Sequence, residues 1–196
     1  MAKLQDISER YQQLYNTMTF RPERMKQAED TARLILKGKA NYERVSEKAG
    51  GKIPWYFIGI IHMMECGCSF AKHLHNGDSL AKRTWQVPAG RPLAEPWSGK
   101  GSSYTFLESA IDALRLKGFH VQQSWTINLM LYRFEKYNGF GYIRKGIATP
   151  YLWAGTTHYN KGKFVNDGIF DPGAESKQIG AAVLIRLLTD KTMNVV

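Results

Sequence analysis

The run Ile53-Pro54-Trp55-Tyr56-Phe57-Ile58-Gly59-Ile60-Ile61-His62-Met63-Met64-Glu65 decides the fold. It is apolar almost throughout, which a helix tolerates only when it is buried on every side. It falls well short of the roughly 20 apolar residues that span a bilayer. It is also interrupted by His62 and stops at Glu65, so it reads as a core helix opened by Pro54. A carboxylate at the end of such a helix is expensive unless it is paired or working. One loop later, His75-Asn76-Gly77-Asp78-Ser79-Leu80-Ala81-Lys82-Arg83-Thr84 supplies a second carboxylate, Asp78, and then Thr84. Asp78 stands on the tight turn that Asn76-Gly77 signals.

Upstream, Ile7, Tyr11, Leu14 and Tyr15 recur at helical spacing and predict a helix over 5–18. The break at Phe20-Arg21-Pro22-Glu23 precedes a long amphipathic, charge-rich helix expected over 22–48, which Gly50-Gly51 ends. Downstream, Thr84-Trp85-Gln86-Val87 looks like a short strand, and Pro88, Gly90, Pro92, Pro96, Gly99 and Gly101 make an extended loop. Helical periodicity resumes over 105–114, a further helix is expected around 124–136, and an apolar helix closes the chain at 178–188. Between the last two lies a loop rich in Gly, Tyr and Trp. The expected architecture is α+β, mainly α, with a small β-hairpin insertion. Residues 1–50 are expected as a helical extension packed on a core formed by 51–196.

The chain has 196 residues, a length that suits one domain with a small extension. A hydrophobic content of 43% with 12% aromatic residues supplies an ordinary core and leaves aromatics over for lining a groove. Twenty-seven Lys and Arg against seventeen Asp and Glu give a net charge of +10, which favours a polyanionic partner, either nucleic acid or an anionic cell envelope. The basic residues are dispersed and form no terminal arm or dense stripe, which argues against nucleic acid. Met1-Ala2-Lys3-Leu4-Gln5-Asp6 has no apolar core of a signal peptide, so synthesis in a cytoplasm is expected. Cys66 and Cys68 are separated by one glycine, too close for an unstrained disulfide, and no second cysteine pair accompanies them for zinc. Free, partly buried thiols are the expectation. His62, His73 and His75 leave a metal site open, although no metal or other cofactor is required by the pattern.

Glycosidic bond cleavage needs a protonated acid at the leaving oxygen and a second group that handles water or the developing positive charge. Glu65, following Ile60, Ile61, Met63 and Met64, has the apolar setting that keeps a carboxyl group protonated, while Asp78 on a polar turn should stay ionised. The alternative is that Glu65 pairs with Lys72 or Arg83 and that Asp78 only shapes its turn. His62, one helical turn before Glu65, either tunes the acid or is a core histidine satisfied by backbone. Thr84 either positions a water or is an ordinary strand threonine. Tyr137, Tyr142, Tyr151, Trp153 and Tyr159 suit stacking on sugar rings, with Asn138, Thr156, Thr157 and His158 adding hydrogen bonds; the same aromatics could equally be core, with Tyr137 and Trp153 the best candidates for a groove.

The order of a Glu ending a buried helix, an Asp on a following turn and a Thr six residues later resembles the phage-type lysozyme arrangement, carried here by Glu65, Asp78 and Thr84. The gap between Glu65 and Asp78 is a few residues longer than in that family. Farther on, Leu131-Tyr132-Arg133-Phe134-Glu135-Lys136-Tyr137-Asn138-Gly139-Phe140-Gly141 resembles the helix and Tyr-Asn-Ala-Gly segment of goose-type lysozymes and lytic transglycosylases, with Gly139 in place of Ala. Together these segments cover roughly residues 54–145 in the order of the lysozyme-like superfamily. The resemblance implies a lysozyme-like fold whose hairpin lies beside the active-site groove. It implies a peptidoglycan-cutting muramidase or endolysin, with Glu65 as acid, Asp78 and Thr84 assisting, and Tyr137, Asn138, Tyr142, Tyr151, Trp153 and His158 binding substrate. It also implies action at the cell wall or in the periplasm, after release through a holin or a secretion machine. The competing expectations are a lytic transglycosylase using Glu65 alone, a chitinase- or chitosanase-like hydrolase, and a non-enzymatic basic protein that binds cell wall or nucleic acid.

Overall fold

A computed structural model describes residues 4–166 and 168–190, with side chains from residue 8 onward. It is mainly helical. The helices run α1 (Leu4–Thr17), α2 (Met25–Lys37), α3 (Lys39–Lys48), α4 (Trp55–Cys66), α5 (Phe106–Leu116), α6 (Ile127–Asn138), α7 (Gly141–Arg144), α8 (Pro150–Trp153) and α9 (Ala181–Thr189). A 3-10 turn at Pro22–Arg24 precedes α2, and strands β1 (Lys163–Asn166) and β2 (Ile169–Asp171) pair antiparallel before α9. The chain divides into two compact units. Leu34–Trp125 form a central unit, and the described residues of Met1–Arg33 with Thr126–Val196 form a terminal unit. The sequence expectation of an extension over 1–50 falls across both, with α1 and most of α2 in the terminal unit and α3 in the central one.

In the central unit α4 is buried almost all round, with Phe57, Ile58, Gly59, Ile60, Ile61, His62, Met64 and Cys66 inside. Its close neighbour is α3, whose Tyr42 ring enters the core between two glycines. A Cβ on Gly38 would lie 2.6 Å from Tyr42 Oη, and one on Gly59 would lie 2.6 Å from Ile35 Cγ2 and 2.9 Å from Tyr42 Cε2. The single helix expected over 22–48 is therefore broken at Gly38, where the chain turns and Tyr42 fills the space that a side chain would need. α5 starts on a capping box: Thr105 Oγ1 accepts the Glu108 N–H, and Glu108 in return accepts the Thr105 N–H.

In the terminal unit α6 packs on α1. Tyr11 Oη donates to Glu135 Oε2, and Asn128 Nδ2 donates to Ser8 Oγ at 2.6 Å. Ile7, expected on the buried face of α1, lies outside the described side chains. α9 is buried along most of its length and meets α8, with Gly180 N–H donating to the Ala154 carbonyl at 2.7 Å. No helix among the described residues is long and apolar enough to cross a membrane.

The β structure differs from expectation. Residues 84–87 form no strand, because the N–H groups of Trp85 and Gln86 are taken by the Asp78 carboxylate and Pro88 has no N–H to offer a ladder. The hairpin forms instead at β1 and β2, where Phe164 pairs with Phe170 and an irregularity between Phe164 and Asn166 adjusts the register. The sequence pattern over that stretch predicts a loop.

Candidate functional site

Glu65 lies in the last turn of α4 and is half-buried. The helix stops sharply just beyond it, because Gly67 and Cys68 are both left-handed, at φ 59° and 60°. Gly67 accepts that conformation freely, whereas Cys68 is a non-glycine residue in a sparsely populated region. The N–H groups of Gly67 and Cys68 return to the carbonyls of Met63 (3.0 Å) and His62 (3.2 Å). The chain then folds back so that the Asn76-Gly77-Asp78 turn lies against the end of α4. A Cβ on Gly77, itself at φ 81°, would come within 2.8 Å of the Glu65 carbonyl oxygen. Only glycine fits there, and the contact sets the turn that carries Asp78 against the backbone of Glu65.

His62 lies one helical turn before Glu65 on α4. Its Nε2 faces the Ser69 carbonyl at 3.1 Å and its Nδ1 faces Tyr42 Oη at 2.9 Å. A carbonyl can only accept, so Nε2 carries the proton and Nδ1 accepts from the tyrosine. Burial pushes the ring down to about 4, so it stays neutral. This is the core histidine of the blander expectation, with a tyrosine as its second partner. Cys66 is buried and its thiol is pushed up to about 12, first by burial and then by the charge of Glu65, so it is inert as a nucleophile.

Asp78 is buried and surrounded by donors. Its Oδ2 accepts from Asn76 Nδ2 (3.0 Å), Trp85 N (2.9 Å) and Gln86 N (3.0 Å), and its Oδ1 accepts from Gln86 Nε2 (3.0 Å). Burial alone would raise this carboxyl group; the donors from Gln86, Trp85 and Asn76 outweigh it and hold the group below the ordinary carboxylate range. Thr84 is equally engaged. Its Oγ1 donates to the Pro88 carbonyl and accepts the Arg91 N–H (2.9 Å), while its own N–H donates to the Arg91 carbonyl (2.8 Å). These bonds close the loop 84–91 at its base. Arg83, one candidate partner for Glu65, gives its guanidinium to Glu95 (3.0 Å), Tyr104 Oη (3.1 Å) and the Leu93 carbonyl (2.9 Å).

A histidine network ties the same loops to α5. His73 Nε2 donates to the Lys82 carbonyl (2.8 Å), leaving Nδ1 to accept from Ser109 Oγ (2.8 Å). His75 Nε2 meets Asp112 (2.9 Å), and Arg91 binds Asp112 through two bonds of 2.8 Å. Burial pushes His75 down to about 4, against the pull of Asp112, whose charge Arg91 already shares. Ser109, His75 and Asp112 stand in the connectivity of a nucleophile relay, but Ser109 has no exposure and its oxygen also accepts the Leu74 N–H. It is a structural pin. Among the described residues no three His, Cys, Asp or Glu side chains are grouped as a metal ion would need.

The residues expected to bind substrate all fall in the terminal unit. Asn138 is exposed at the end of α6 and, with Tyr142, Phe140, Arg144 and Phe164, lines a cleft of about 540 Å³. Tyr142 Oη accepts the Phe164 N–H at 3.0 Å. Tyr137 and Tyr151 are buried, and Trp153 is only 1% exposed, packed edge-on against His158. His158 Nε2 is held by the Leu14 carbonyl (2.9 Å) and Thr17 Oγ1 (3.3 Å). The exposed indoles of the central unit, Trp85 and Trp97, are not among the residues expected to bind substrate; they stand in a segment dense in Pro and Gly. An aromatic residue in such a segment has no helix or strand to carry it into a core, and that was the available signal. Comparison of the chain with protein-family models, with curated proteins and with solved structures returns no match.

Proposed function

We propose that the chain is a glycosidase of lysozyme-like type that cleaves the glycan strands of peptidoglycan or a related amino-sugar polymer, with Glu65 as the acid. The observation that carries this reading is the setting of Glu65: a half-buried residue in the last turn of an apolar helix, whose backbone is met by the turn that carries the ionised Asp78. An apolar setting favours the protonated form of a carboxyl group, which is what a leaving glycosidic oxygen needs from its acid. The C-terminal end of α4 disfavours an anion at its last turn, which works in the same direction. A net charge of +10 draws such an enzyme to an anionic wall, where it would act after release from the cytoplasm.

A second reading, lytic transglycosylase, is favoured by the hydrogen bonding of Asp78 and Thr84. Both are occupied by their own loop, and a transglycosylase needs only the acid, because the sugar's own hydroxyl attacks. Both readings are tested by incubating purified peptidoglycan with wild type and Glu65→Gln and weighing the released muropeptides. Wild type should release products, and the variant should lose at least about a hundredfold in rate, as expected for removal of a general acid. Reducing ends mean hydrolysis and anhydro ends mean transglycosylation. Release from chitin oligomers alone would move the substrate to chitin. No product from wild type would sink every enzymatic reading and leave a basic binding protein, whose affinity for DNA would fall steeply with salt.

A further inference from the structure

The loop beyond Thr84 carries exposed apolar side chains that acid chemistry at Glu65 does not use. Its tip, Trp85-Gln86-Val87-Pro88-Ala89-Gly90, has no charge, and Trp85 is 76% and Val87 89% exposed. An indole left in water to that extent gains nothing for the fold and is a candidate contact for a ligand. The tip is nonetheless held firmly. Thr84 and Arg91 exchange bonds at its base, Arg91 is anchored on Asp112, and Asp78 grips the backbone of Trp85 and Gln86. A ring presented by a fixed backbone loses little freedom on binding.

Asp78 is where the loop and the acid meet. The residue before it, Gly77, lies against the Glu65 backbone, and its own carboxylate accepts the Trp85 N–H at 2.9 Å. Four donors already meet a carboxylate with roughly four lone-pair sites, so directing a water molecule would require breaking one of these bonds. We propose that Trp85 is a substrate-binding residue that stacks on a sugar ring of the glycan strand beside Glu65, and that Asp78 is the positioning residue that holds it there. The proposal rests on the glycan-cleaving reading and names the surface that reading lacks in the central unit. A bilayer is the less fitting occupant. Anionic lipid would require a collar of available cations around the tip. The arginines on either side are committed, Arg83 to Glu95 and Arg91 to Asp112.

The test uses soluble glycan strands freed of peptide, with kcat and KM measured across pH for wild type, Trp85→Ala, Trp85→Phe, Asp78→Asn, Asp78→Ala and the Asp78→Ala/Trp85→Ala double variant. Trp85→Ala should raise KM about tenfold or more with kcat within a fewfold of wild type, a loss in the range of one aromatic stacking contact. Trp85→Phe should restore most of it. Asp78→Ala should raise KM to the same extent, and the double variant should be no worse than either single one, because Asp78 acts through Trp85. Asp78→Asn should keep the kcat–pH profile. If Asp78→Ala fails to fold, the two Trp85 variants and Asp78→Asn still decide the matter. A kcat loss of a hundredfold in Asp78→Asn with KM unchanged would overturn the positioning role and make Asp78 a catalytic group. An unchanged KM in Trp85→Ala, or binding of the Glu65→Gln protein to phosphatidylglycerol vesicles that Trp85→Ala abolishes while KM for strands stays put, would overturn the sugar contact while the cleavage reading stands. A wild type that cleaves nothing would remove the cleavage reading and the inference with it.

Discussion

In the central unit His62 and His75 are buried as neutral rings, while in the terminal unit Glu135 is buried where the neutral acid is favoured. The two situations look alike, since desolvation is the leading cause in each. Their consequences run in opposite directions. A neutral buried histidine loses against the unfolded chain when acid supplies protons, and a neutral buried carboxyl group loses when base removes them. The central unit is therefore built for the alkaline side and the terminal unit for the acid side. This contrast is more informative than the net charge of +10, which says nothing about either.

The largest effect expected from this contrast lies in the central unit. Unfolding lets His62 and His75 take up protons below about pH 6.5, whereas in the fold both are held down to about 4. Their contribution is complete above pH 6.5 and drains as pH falls toward 4, by up to about 3 kcal/mol for each ring. Hydrogen exchange of the amides in α3, α4 and α5, followed from pH 7 to pH 4, should show opening free energies falling by several kcal/mol, about 3 at the least. A flat profile in these helices would remove the central half of the comparison.

Glu135 supplies the other half. Burial pushes its carboxyl group up from 4.5 to about 7, partly offset by the hydrogen bond from Tyr11, and among the described residues its Oε1 has no hydrogen-bond partner. The unfolded carboxyl group ionises above about pH 4.5, so the terminal unit should be most stable below that value. It should lose up to about 3 kcal/mol as pH rises to 7, after which the loss levels off. Glu135→Gln should flatten this slope in the amides of α1 and α6 and leave the histidine slope of the central unit intact. A slope that survives the substitution would assign it to another group.

The features legible in the sequence are those set by local pattern. The apolar run over 53–64 reads as a buried helix and Asn76-Gly77-Asp78 as a turn, because both depend on residues next to each other. What was not legible depends on partners far along the chain. The break at Gly38 exists because the Tyr42 ring must also clear Gly59 in another helix. Trp85 and Gln86 read as a strand by composition, yet their N–H groups find a carboxylate seven and eight residues earlier in place of a neighbouring strand. The hairpin of β1 and β2 was hidden because four-residue and three-residue strands with mixed exposure carry almost no alternation. At the candidate site, Glu65 and the turn of Asp78 were readable, while the occupation of Asp78 by four donors and the exposure of Trp85 were not.

The smallest expected effect sharpens the comparison at two threonines that occupy the same helical position. Thr105 caps α5 in the central unit: its Oγ1 accepts the Glu108 N–H at 3.3 Å, and Glu108 reaches back to the Thr105 N–H at 2.6 Å and on to the Trp97 N–H. Thr126 stands at the same position before α6 in the terminal unit, but its hydroxyl makes no cap bond and donates to Asn128 Oδ1 at 2.6 Å. Thr105→Ala removes an acceptor for an N–H that has no partner within the helix, so it should cost about 1 kcal/mol. Thr126→Ala removes an exposed hydroxyl whose partner Asn128 stays bound to Ser8, so it should cost only a few tenths. Melting of the two variants side by side should separate them by a few degrees, with Thr105→Ala the lower. Equal melting points would mean that the capping box contributes nothing beyond what Glu108 already supplies through Trp97. In that case the loop carrying the exposed tryptophans, rather than the helix, is what Glu108 holds.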